Sequence, residues 1–182
     1  MSGRRDGGGD DDPGASPGGD WLVVYGSLMR GLPARETRAT HAARAPGSAG
    51  ATPATMRGDL FDRLGVAAGL RRVAPCRVPG RLFDLGPYPA LRPADGPSDS
   101  VCGELHALLD PAAVFAVLDP FEGFDPRDPA GSDYRRERVR LLEPSGIRAW
   151  IYVYNREPEP ERRIPSGDWR AHLAKRGVSA HD

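Results

Sequence analysis

At 182 residues the chain has room for one globular domain and is short for two. Its 25 basic and 25 acidic residues cancel to a formal net charge of zero, so the basic footprint of a nucleic-acid binder is missing. No apolar run approaches the ~20 residues that a membrane helix requires. Two cysteines do not make a disulfide scaffold, and the two N-terminal arginines have no apolar stretch behind them, so the expected compartment is the reducing cytoplasm. With 23 glycines and 19 prolines the chain is rich in loops, and a single small α+β domain fits best. Lys175 is the sole lysine, a bias that reads as a GC-rich genome rather than as a function.

Residues 1–20 contain no Val, Ile, Leu, Phe, Trp or Tyr and are expected to form a disordered tail, because they cannot bury enough apolar surface to offset the entropy of ordering. From Trp21 to Tyr25 a continuous apolar run closed by Gly26 predicts a buried strand ending in a tight turn. Residues 32–55 read as a surface insertion; the helix-compatible piece from Ala34 to Arg44 lacks an apolar stripe. Leu60, Phe61, Leu64 and Ala67 or Ala68 recur at helical spacing and predict a helix from Met56 to about Leu70, which its glycines weaken. Strands are expected over Cys76–Leu85, Val101–Leu109, Tyr134–Leu142 and Ile147–Asn155, the last two with the alternation of a half-solvated antiparallel sheet. Between them Asp110 reads as an N-cap and Pro111 as the first position of a helix that stops before Pro120. The domain is expected over 21–170, with a C-terminal tail over 171–182. The fold class is α+β: one mixed or antiparallel sheet curled over two helices, barrel-like in its closure.

Phosphate-loop, dinucleotide and metalloprotease signatures are absent, as is Cys-x-x-Cys. His41, His106, His172 and His181 have no metal-like spacing, and only His106 falls on a predicted core element. No metal and no cofactor is expected. Cys76 and Cys102 read as plain core or strand residues.

Four local features could carry chemistry. Tyr25-Gly26-Ser27-Leu28 turns sharply at the mouth of a sheet and presents successive N–H groups, which can cradle an oxyanion or serve as an ordinary turn. Tyr88 stands on a rigid loop after Gly86-Pro87. Glu122 lies between Phe121 and Phe124 beside Gly123, either a desolvated carboxyl of raised pKa or a solvated acid at a helix end. Tyr134-Arg135-Arg136 opens a strand with a phenol and guanidiniums, although strand arginines usually form its wet face.

The order of these blocks is more specific than any one of them. An apolar strand into YGSL, then YPAL, GELHAL, LDPFEG, YRR, AWIYVYN and IPSGDW resembles the γ-glutamylcyclotransferase-like (AIG2-like) family from about Leu22 to Trp169. The resemblance implies a bacterial enzyme with a small barrel-like α+β domain and a small-molecule γ-glutamyl substrate. It implies that the amides of Tyr25, Gly26, Ser27 and Leu28 hold the γ-glutamyl unit, that Glu122 is the catalytic acid/base, and that Tyr134 lines the same pocket. Tyr88 is taken as a further pocket residue. The 32–55 insertion and the loop from Asp125 to Asp133 depart from the pattern and bear on what the pocket admits. The implied reaction is attack of a γ-glutamyl α-amine on its own γ-carbonyl, giving 5-oxoproline and a released amine. Alternatives are release of a γ-glutamyl protecting group in a biosynthetic pathway, or a non-catalytic binding module.

Overall fold

The computed structural model describes residues 20–29, 32 and 60–177. Its architecture is α+β, with two sheets and short helices. Strands β1 (Asp20–Val24), β2 (Leu70–Pro79), β5 (Ser100–Leu108), β6 (Tyr134–Arg140) and β7 (Arg148–Tyr154) form a five-stranded sheet in the order β2-β5-β1-β7-β6. Strands β3 (Arg81–Asp84), β4 (Pro89–Arg92) and β8 (Arg163–Ile164) form a smaller one in the order β4-β3-β8. The expected single sheet is thus divided in two. The break falls at Gly80, where a Cβ would lie 3.1 Å from the Arg92 carbonyl oxygen, so the predicted strand over Cys76–Leu85 becomes the end of β2 and the whole of β3.

The run Leu22-Val23-Val24 is buried throughout because β1 is the central strand. It pairs antiparallel with β5 and parallel with β7, and both of its faces are covered, the condition under which a strand reads as continuous apolar sequence. Asp20, assigned to the tail, is the first residue of this strand, and Arg138 donates to its carboxylate at 2.6 Å. The rest of the expected tail and all of the insertion but Leu32 lie outside the described residues.

The helices correct three expectations. Among the described residues of the expected Met56–Leu70 helix, which begin at 60, α1 covers Leu60–Arg63 and a 3-10 turn covers Ala67–Gly69. Gly65 separates them with φ +73°, a left-handed conformation that ends a right-handed helix, while Leu60 and Phe61 are still buried. Helix α2 (Pro111–Glu122) starts as expected, with the Asp110 carboxylate accepting from the Ala113 amide at 3.0 Å. It does not stop before Pro120: the proline sits within the last turn, and the end comes at Gly123, φ +69°, whose N–H reaches the Asp119 and Pro120 carbonyls. Helix α3 (Trp169–Lys175) replaces the first part of the expected C-terminal tail. Asp168 caps it, and Trp169 and Leu173 bury one face in the core.

Candidate active site

Strand β1 delivers Tyr25 to the mouth of the sheet, where the chain turns and the Gly26 carbonyl accepts from the Met29 amide at 2.8 Å. Tyr25, Ser27 and Leu28 are buried. The Tyr25 hydroxyl donates to the backbone carbonyl of Tyr152 at 2.7 Å, which fastens the turn to β7. The N–H groups of Ser27 and Leu28 donate to no acceptor among the described residues. Donors withheld from secondary structure in this way are available to an anion. Gly26 is there for close approach: a Cβ would lie 2.8 Å from Pro89 Cγ.

Facing the turn is Glu122, the last residue of α2, only 7% exposed. The turn, Glu122, Pro89, Tyr134 and Tyr152 line one cleft. Its atom-free space, mouth included, is about 370 Å³, and a water-sized sphere can be centred in about 30 Å³ of it. So narrow a cleft admits few waters, which strengthens every electrostatic contact inside it. Tyr134 is fixed by its hydroxyl, which donates to the Pro89 carbonyl at 3.1 Å, and by its ring, 5.1 Å from that of Tyr154.

Six of the seven residues singled out in the sequence therefore meet in one place: Tyr25, Gly26, Ser27, Leu28, Glu122 and Tyr134. Tyr88 does not line the cleft; its carbonyl accepts from Leu85 to close a turn at 3.0 Å, and the next residue, Pro89, enters instead. Phe124 does not flank Glu122 within the cleft either. The left-handed Gly123 redirects the chain, and Phe124 borders a separate open groove lined also by Phe115, Asp119 and Pro120.

A polar group behind the cleft was not foreseen. Tyr152 donates to Asp119 Oδ1 at 2.6 Å, and Arg136 Nη1 meets the same oxygen at 3.1 Å. Arg136 is opposite Tyr152 across the β6–β7 ladder, and its guanidinium lies 3.7 Å from the Phe115 ring centroid and 5.2 Å from that of Trp150, stacking that anchors it in place. It is not part of a wet face. Burial raises the Asp119 carboxyl above its ordinary value although Tyr152 and Arg136 both oppose that shift. Burial also pushes the Tyr152 phenol far up, with the hydrogen bond to Asp119 and the charges of Asp119 and Glu122 adding to it. One signal points to the group: Asp119 is three residues before Glu122 on one helix. Arg136 shares a strand face with Tyr134, two residues before it, but that spacing does not distinguish water from a buried partner.

Among the described residues, no group of three or more His, Cys, Asp or Glu is placed to hold a metal ion. His106 is a buried core residue with its ring edge-on to Phe61 at 5.2 Å. Burial pushes the Cys76 thiol up to about 12, with Cys102 and Glu104 adding to the shift, in keeping with a core role. No helix among the described residues is long and apolar enough to cross a membrane.

Residues 22–171 match the family model described as gamma-glutamyl cyclotransferase, AIG2-like. The chain belongs to this family. It is similar to the gamma-glutamylcyclotransferase family protein YtfP of Escherichia coli K12, 34% identical over 89 residues, a match that spans 49% of this chain and 66% of the relative. Among solved structures, an AIG2-like protein from Mus musculus superposes with a TM-score of 0.55 at 18% identity, covering 90% of this chain and 95% of the other. The protein PH0828 from Pyrococcus horikoshii does so with a TM-score of 0.53 at 16% identity, covering 89% and 99%. At these identities the superpositions establish the γ-glutamylcyclotransferase-like fold.

Proposed function

We propose that this protein cyclises the γ-glutamyl group of a small amide to 5-oxoproline and releases the amine, with Glu122 as the acid/base. The observation that carries this reading is that a buried carboxyl and a turn with two N–H groups that find no acceptor among the described residues line one narrow cleft. The nucleophile is the substrate's own α-amine, so the protein must hold the folded-back substrate, move two protons in succession from the attacking to the leaving nitrogen and stabilise one oxyanion.

An α-amine titrates near 8 and an ordinary glutamate near 4.3, so transfer of the proton between them costs about 5 kcal/mol. Holding the amine over the γ-carbonyl offsets that cost, since orientation alone contributes up to ~7–11 kcal/mol in well-aligned systems. In the proposed cycle the Ser27 and Leu28 amides, with those of Tyr25 and Gly26, hold the γ-glutamyl unit. Glu122 takes one ammonium proton, the freed nitrogen attacks the γ-carbon, and the same carboxyl delivers that proton to the leaving nitrogen; as the intermediate collapses, the second proton leaves the ring nitrogen by way of Glu122 and ends on the released amine, which departs as an ammonium. The γ-amide C–N bond breaks and the ring C–N bond forms, with no net proton change.

Incubation with a panel of γ-glutamyl amino acids and γ-glutamyl-amines tests this. The expected products are 5-oxoproline and free amine in equal amounts. Formation of glutamate instead, or no product from any member of the panel, would overturn the reading.

A further inference from the structure

We infer that Asp119 is a positioning residue for this site: it grips the Tyr152 hydroxyl from behind the cleft and so fixes the wall against which Glu122 and the substrate meet. The inference rests on the cyclisation reading above. Three observations support it. Tyr152 is 4% exposed and lines the cleft with Glu122, yet its hydroxyl is committed to Asp119 at 2.6 Å. Its backbone carbonyl is held as well, by the Tyr25 hydroxyl at 2.7 Å, so both ends of the residue are tied, one to the turn and one to α2. Asp119 in turn has little freedom: its side chain is 13% exposed and paired with Arg136, itself 19% exposed and stacked on Phe115. Asp119 and Glu122 stand three residues apart on the last turn of α2, and Tyr152 relates to both: its hydroxyl is bonded to the one, and it lines the cleft with the other. A buried phenol oxygen without its acceptor would leave a polar group stranded, and the ring would be free to tilt into a cleft that has little space to spare.

The test is a double-mutant cycle on the full chain with Asp119→Ala and Tyr152→Phe, assayed for 5-oxoproline. Each single change is expected to lower kcat by ~10- to 100-fold, the loss that a misplacement of about 1 Å brings, with KM changed less than ~3-fold. If the two residues act as one unit, the double variant is no slower than the slower single. Asp119→Asn keeps an acceptor for the phenol and should recover part of the lost kcat. Multiplicative losses, or an Asn variant as slow as Ala, would overturn the inference. A second readout needs no turnover: with ¹³Cζ-tyrosine, the Tyr152 resonance should move in Asp119→Ala while that of Tyr88 stays in place. An unmoved Tyr152 resonance would also overturn it. If the wild-type chain makes no 5-oxoproline from any substrate, the cyclisation reading falls, and the resonance still reports whether Asp119 holds Tyr152.

Discussion

Gly26 and Pro89 approach so closely that a methyl group on the glycine would sit 2.8 Å from Pro89 Cγ and 3.0 Å from its Cδ. Neither partner can yield easily, since proline is a rigid ring and β4 begins at it. Gly26→Ala should therefore push the turn away from Glu122, costing about 1–3 kcal/mol of stability as overpacking does and lowering kcat/KM by ~10-fold or more. Thermal melts and steady-state kinetics of the folded variant would show both. Unchanged kinetics would mean that the turn does not touch the substrate.

Glu122→Gln keeps the shape of the side chain and removes its capacity to accept a proton. Turnover should fall by ~10²-fold or more while the fold survives. Circular dichroism and the 5-oxoproline assay separate the two effects, and near-normal turnover would exclude Glu122 as the base.

Acetylating the α-amine of the substrate removes the nucleophile that cyclisation requires. Formation of 5-oxoproline should then cease altogether. Release of the amine from the blocked substrate at an undiminished rate would identify a hydrolase in which Glu122 activates water.

Outside the site, Asp84 ties β3 to α3. His172 Nε2 lies 2.7 Å from its Oδ2, and Arg176 donates to the same oxygen at 2.8 Å. Burial works against this charge, but the hydrogen bonds from His172 and the Gly86 amide, with Arg176, outweigh it and hold the carboxyl below its usual range. A group with a folded value below the unfolded one stabilises the protein above the unfolded value, near 3.9, and loses that effect as the pH falls through the folded one. Asp84→Asn should thus lower Tm by a few degrees at pH 7, as expected for a partly exposed pair, and the gap should narrow below about pH 4. A gap independent of pH would show that charge is not its source.

The pieces that were legible in the sequence are those with a strong local signature. Leu22-Val23-Val24 announces a strand covered on both faces, Asp110-Pro111 announces a helix start, and the YGSL and EG blocks mark the two sides of the cleft. What stayed hidden depends on distant partners. Whether Arg136 points to water or to Asp119 is settled by the β6–β7 register, which places it opposite Tyr152, and nothing local to YRRER reports that register. The end of α1 was missed for a different reason: helical spacing of apolar residues outlasts the helix itself, because Val66 is buried and Ala67 packs against the core after Gly65 has broken the backbone run.

The two ends of the segment 124–132 are joined at its base. Gly123 accepts from the Asp133 amide at 3.0 Å, and the Asp133 side chain packs 3.2–3.3 Å from where a Gly123 Cβ would be. Inside, Ser132 bridges to Asp125 and Asp128, so the segment is braced by its own side chains. Glu122 and Tyr134 stand immediately outside that base, one on each side. The segment is also tied to the end of β7, where Asn155 donates to the Pro129 and Ser132 carbonyls, so a shortened or foreign segment that keeps the Gly123–Asp133 clasp and these two bonds should preserve the spacing of acid and phenol.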